Sequence, residues 1–115
     1  MTIFFVFFFT LFEILTPIKT DLLALSPSIP QRGEELFRSH CMSCHMEGNN
    51  LIIPEKNLKK QTLATNGMNT IEAIMYQVSN GKNGMPAFGG FAGRLTEKEI
   101  EKIASYVLEK SEMEN

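Results

Sequence analysis

Tryptophan is absent from this 115-residue chain, and cysteine, histidine and tyrosine each occur only twice. Two cysteines exclude the disulfide framework of a small secreted scaffold. No run of about 18 apolar residues occurs, which argues against a membrane-spanning helix. Neither sign of charge dominates: 11 basic and 13 acidic side chains leave a net charge of −2. That balance excludes the basic footprint of a nucleic-acid binder. Two-residue apolar alternation is missing as well, so no sheet is expected. There is no internal repeat and no sign of a second domain.

Phenylalanine is plentiful but unevenly placed, with six of nine in the first 12 residues. Ile3 to Leu15 is apolar apart from Thr10 and Glu13, the length of a signal-peptide core and short for a membrane span. Ala24, Ser26 and Ser28 offer small-residue cleavage positions. Residues 1–28 are therefore expected to be an export signal that is removed, and residues 29–115 the working domain. An uncharged start and Glu13 are imperfect for such a signal, and the other reading is an apolar N-terminal helix of the mature fold. A domain of this size sits near the lower limit for an independent apolar core, so it needs a staple.

The helical period recurs along the domain. Gln31 to His45 reads as one helix running into the cysteine pair, with Leu36 and Phe37 inward. Gly48 to Pro54 is a loop, and Pro54 to Thr65 holds one or two short turns with Lys56, Lys59 and Lys60 outward. Asn69 or Thr70 caps a helix whose apolar positions are Ile71, Ile74, Met75 and Val78, and Asn80-Gly81 ends it. Residues 81–90 hold four glycines and one proline and form a shaped loop. Thr96 and Glu99 make a capping box before a helix lined by Ile100, Ile103, Ala104, Val107 and Leu108. The expected fold class is all-α.

Cys41-Met42-Ser43-Cys44-His45 is the sequence of a haem c attachment site. Each thiol adds across one vinyl group, and His45 is placed to bind the iron from below. A covalent haem c is also the missing staple. Three other readings compete: a Cys41–Cys44 disulfide, a zinc site including His40, and a chance match. A disulfide of the thioredoxin kind belongs in a βαβ context that is not visible, and four ligands within six residues fit a tetrahedron poorly. For the second axial ligand, Met42 and Met46 are too near His45, Met75 lies on a core stripe and Met113 in the polar tail. Met85, 40 residues beyond His45 and between Gly84 and Pro86, is the candidate; Met68 reads as pocket wall. The ring N–H of His45 is expected to donate to the Pro54 carbonyl. A His/Met iron has no open position, which suits an electron carrier and not an enzyme.

These residues resemble the cytochrome c6 family over nearly all of 33–111. The likeness runs through Gly33-Glu34-x-x-Phe37, the cysteine motif, Gly48-Asn49-Asn50, Leu58-Lys59-Lys60, Met68-Asn69-Thr70-Ile71, Tyr76-Gln77-Val78, Asn80 to Gly90 and Ile103-Ala104-x-Tyr106-Val107-Leu108. The resemblance implies a cytochrome c fold, about four helices around one covalent haem c. It implies a monomer that carries electrons from the cytochrome b6f complex to photosystem I in the thylakoid lumen of a plastid or cyanobacterium. It also implies that Gly33 and Phe37 meet Tyr106, and that Gln77 borders the haem. Phe91-Ala92-Gly93 stands before Arg94-Leu95 where the family has no such residues, so the position of Arg94 and the local docking surface are open. Donation to a respiratory oxidase, or a haem enzyme or ligand sensor, remain the other functional readings.

Overall fold

The computed structural model describes residues 29–91 and 93–114. The expected export signal, residues 1–28, lies outside the described residues. Five α-helices follow in order: α1 (Ile29–His40), α2 (Met42–His45), α3 (Lys60–Thr65), α4 (Ile71–Asn80) and α5 (Glu97–Met113). Two 3₁₀ turns, Met46–Gly48 and Pro54–Lys56, fill the loop between α2 and α3. Among the described residues there is no strand, only an isolated bridge between Lys82 and Met85. The all-α expectation holds.

The helix expected over Gln31–His45 is broken at Cys41. The Cys41 amide still closes α1 onto the Phe37 carbonyl at 2.8 Å. Its own carbonyl then accepts from the Cys44 and His45 amides at 3.2 and 2.9 Å, which starts a new turn. Cys41 itself has φ −120° and ψ −25°, outside helical geometry.

Local chemistry fixes the other ends as the sequence indicates. Thr70, not Asn69, caps α4, its Oγ1 accepting from the Ala73 amide at 3.1 Å. Gly81 ends that helix with φ 67° and ψ 173°, a region that is essentially glycine-only. The Thr96–Glu99 capping box is fully formed: the Glu99 amide donates to Thr96 Oγ1 at 3.3 Å and the Thr96 amide donates to Glu99 Oε2 at 2.8 Å.

The core is built on α5. Ile100, Ile103 and Ala104 are almost completely buried there, with Val107 one turn on. Each of the isoleucines and Val107 contributes about 1.5–3 kcal/mol by leaving water, and the Ala104 methyl less. Helix α1 crosses one side of α5 and α4 packs on another. The α1 crossing is close because Gly33 has no side chain: a Cβ there would lie 2.4 Å from the Lys102 carbonyl oxygen and 2.8 Å from Tyr106 Cβ. One turn further, the Phe37 and Tyr106 rings stack at 5.4 Å with a 53° tilt. The expected meeting of Gly33 and Phe37 with Tyr106 is what the structure has.

Two outcomes follow. Gly33→Ala forces the two helices apart and is expected to destabilise the haem-loaded protein by about 1–3 kcal/mol in thermal unfolding. Hydrogen bonding from the Thr96 amide holds the Glu99 carboxyl below its usual value, helped by the Thr96 hydroxyl, His40 and Lys102 and opposed by desolvation. A lowered carboxyl pKa stabilises the fold above the unfolded value, and that contribution disappears as pH falls through the folded one. Glu99→Gln should therefore lower the melting temperature at neutral pH, and its difference from the parent should shrink in acid.

Candidate haem site

A cavity of about 350 Å3 opens between the end of α1, the loop after α2, α3, α4 and the loop that follows α4. Cys41, Cys44 and His45 line one part of it, and Met68, Gln77 and Met85 line others. Phe37, Leu63, Ile74, Val78, Phe88 and Ile103 close its apolar base, all of them buried. Among the described residues the charged side chains on its wall are Lys56 and Lys82, and no carboxylate lines it. A slot of apolar walls with two thiols, an imidazole and two ammonium groups fits a flat apolar macrocycle bearing carboxylates at its edge.

Cys41 and Cys44 are not joined in a disulfide. Burial pushes the Cys41 thiol up to about 11, and the neighbouring Cys44 adds to the shift. Redox-active Cys-x-x-Cys pairs work through a depressed thiol pKa, so this site runs opposite to a thioredoxin-like centre. Nor do the described residues contain a group of three or more His, Cys, Asp or Glu side chains arranged for a metal ion. The disulfide and zinc readings find no support here.

His45 is oriented by a different carbonyl from the one expected. Its Nδ1 lies 2.9 Å from the Asn49 oxygen. A carbonyl only accepts, so Nδ1 carries the proton and Nε2 is the free lone pair. The Pro54 carbonyl instead accepts from Asn57 Nδ2 at 3.2 Å. The cause is a sharp reversal just after the motif. Glu47 and Gly48 have φ 54° and 72°, and the Asn49 amide bonds back to the Met46 carbonyl at 3.0 Å. Asn49 is thereby returned to the imidazole, while Asn50 Oδ1 accepts from the Ile52 and Ile53 amides at 3.0 and 2.9 Å and starts the separate turn leading to Pro54. Gly48 was the available signal for this reversal.

Of the described methionines, Met68 and Met85 alone line the cavity. Met42 and Met75 pack against the core, and Met46 and Met113 are exposed. The Met85 sulfur lies 3.8 Å from Gln77 Nε2, which donates toward it from α4. The loop carrying Met85 is a tight reversal in which the Lys82 and Met85 backbones exchange two hydrogen bonds of 3.0 Å. It is launched by Gly81 and bonded back to α4, the Phe88 amide donating to the Val78 carbonyl at 2.9 Å. Sequence reasoning missed Ile52, which lines the cavity and lies over Gly84, where an added Cβ would sit 2.9 Å from Ile52 Cδ1. Phe91 is fully exposed and takes no part in the cavity wall, and Arg94 is exposed as well.

A thiol pair, a fixed imidazole and a methionine around one apolar slot define a c-type cytochrome. The comparisons narrow the class. A protein-family model described as cytochrome c oxidase, cbb3-type, subunit III matches residues 29–107. Cytochrome c6 of Bumilleriopsis filiformis is 56% identical over 82 residues, covering 71% of this chain and 92% of that one. Cytochrome c6 of Pyropia tenera is 58% identical over 80 residues, covering 70% and 91%. The solved cytochrome c6 of the diatom Phaeodactylum tricornutum superposes with a TM-score of 0.68 at 44% identity, over 73% of this chain and 95% of that one. The chain belongs to the cytochrome c6 family. It is a c-type cytochrome that carries electrons and holds one covalent haem c, with Cys41 and Cys44 in the attachment motif. No described helix is long and apolar enough to cross a membrane.

Gly81 is the position on which the Met85 loop turns. A Cβ there would lie 2.5 Å from the Met85 carbonyl oxygen, in a backbone region closed to other residues. Gly81→Ala is expected to cost about 1–3 kcal/mol in unfolding free energy and to perturb the haem spectrum.

Proposed function

We propose that this protein shuttles single electrons from the cytochrome b6f complex to photosystem I in the thylakoid lumen, as a monomer. In this reading Cys41 and Cys44 would form the two thioethers of the haem, and His45 and Met85 would hold its iron. The observation that carries it is the cavity that joins the Cys-x-x-Cys-His turn and the Gln77-supported Met85 within one apolar enclosure.

Bound haem c supplies a reversible one-electron ferric–ferrous couple. The chain's own residues set its conditions. Asn49 fixes the His45 tautomer and ring orientation, leaving Nε2 for the metal. The thioether of Met85 would favour the ferrous state, and Gln77 engages that sulfur through its amide. Phe37, Ile74, Val78 and Phe88 keep water from the pocket, which limits reorganisation between oxidation states. Were His45 and Met85 both to hold the iron, no position on it would remain for a substrate, which suits a carrier and not an enzyme. Ile52 lines the cavity yet is 57% exposed, and its neighbour Leu51 is 68% exposed. An apolar contact of this kind with Lys56 and Lys82 nearby suits brief docking to an electron partner.

The match to a cbb3-type oxidase subunit model supports a second reading, donation to a respiratory oxidase. Flash-induced photosystem I reduction by the purified ferrous protein separates the two. Fast saturable reduction supports the first, and reduction of an oxidase alone supports the second. Met85→Ala should abolish the methionine–ferric charge-transfer band and lower the midpoint potential by on the order of 0.1 V, with haem attachment retained. An unchanged band overturns the Met85 assignment.

A further inference from the structure

The described residues contain three Asn-Gly pairs: Asn66-Gly67, Asn80-Gly81 and Asn83-Gly84. Asn-Gly is the sequence in which the glycine amide most readily reaches the asparagine side chain, because no Cβ blocks its approach. Two of the pairs are tied down. The Gly67 amide donates to the Ala64 carbonyl at 3.1 Å, and Asn66 Nδ2 donates to the Thr62 carbonyl at 2.8 Å. The Gly81 amide donates to the Gln77 carbonyl at 2.8 Å, and Asn80 Nδ2 donates to the Tyr76 carbonyl at 2.8 Å.

The third pair is different. Neither the Gly84 amide nor the Asn83 side chain has a hydrogen-bond partner among the described residues. Both residues are exposed at the centre of the reversal between Lys82 and Met85. Asn83 also stands at φ 53°, in the left-handed region that asparagine enters more readily than most other residues.

We infer that Asn83 is a site of spontaneous deamidation on the Met85 loop, with water as co-reactant. The backbone nitrogen of Gly84 attacks Asn83 Cγ, a C–N bond forms, and the side-chain nitrogen leaves as ammonia. Water then opens the resulting succinimide at either carbonyl, giving aspartate or isoaspartate at position 83. No electrons change hands. The product carries a carboxylate on a cavity wall whose charged side chains, among the described residues, are the cations Lys56 and Lys82. The isoaspartate form also lengthens the backbone by one carbon between the two bonds that close the turn. Loosening of Met85 from the iron is the consequence, and this consequence rests on the axial role proposed for Met85.

The experiment ages the full haem-loaded protein in mildly alkaline buffer and follows each Asn-Gly peptide by mass. The Asn83 peptide should gain one mass unit at least about tenfold faster than the Asn66 and Asn80 peptides, which react only through local opening. In the denatured chain the three should react at similar rates. Asn83→Gln should remove the modification. Gly84→Ala should slow it, since the added methyl needs only a small shift of the flexible Ile52 end. Reaction at Asn66 or Asn80 as fast as at Asn83, or no change at Asn83, overturns the assignment. The charge-transfer band of the purified deamidated fraction should weaken relative to fresh protein. An undiminished band overturns the effect on Met85, whereas a fresh parent protein with no such band overturns the ligand reading and leaves the mass result to decide the site.

Discussion

The close crossing of α1 over α5 is the constraint on which the site depends. Gly33 lets the α1 backbone approach the Lys102 carbonyl, and that approach sets Phe37 against Tyr106. Cys41 ends α1 one turn later, so the crossing also positions the attachment turn. Another side of α5 receives α4, which presents Gln77 and Val78 to the cavity and ends where the Met85 loop begins. The two halves of the site are far apart in sequence. They are held in register by their common support, a helix whose inner face is almost fully buried.

A second theme is that the enclosure is made by very few side chains. The buried aliphatic and aromatic residues of the core are largely the same residues that line the cavity. A chain this short has little apolar surface left for a separate core, and the covalent haem completes the one it has. Its polar requirements are met locally: no buried side-chain nitrogen or oxygen among the described residues lacks a partner. The ion pairs among the described residues lie at the surface, between Arg38 and Glu34, Lys60 and Glu112, and Lys110 and Glu114. Such exposed pairs contribute little each, so stability rests on burial and on the helix caps.

The Met85 loop shows the opposite economy. Its reversal needs residues tolerant of positive φ, and Gly81 and Asn83 meet that need. The Asn83-Gly84 pair within it leaves an amide and a side chain without partners among the described residues. The backbone chemistry that shapes the loop therefore also exposes it to slow covalent change, whereas the two Asn-Gly pairs at helix ends have their groups occupied.

Much of this molecule was legible in the linear sequence because it is governed by contacts over a few residues. The attachment motif, the capping box at Thr96 and Glu99, the stop at Gly81 and the apolar stripes of α4 and α5 are all local patterns. So was the reduction of seven methionines to Met68 and Met85, which spacing and flanking glycine and proline made possible. The break at Cys41 and the choice of Thr70 over Asn69 needed real hydrogen-bond geometry, because both alternatives satisfy the same pattern. The partner of His45 was decided by backbone angles at Glu47 and Gly48, which turned Asn49 back and sent Pro54 elsewhere. The Gln77 amide beside the Met85 sulfur, and Ile52 over Gly84, join residues on separate elements. Local pattern determines which helices form and which residues can hold the haem; only packing around α5 decides which of them meet, because that distance is set by the close fit of two helix surfaces.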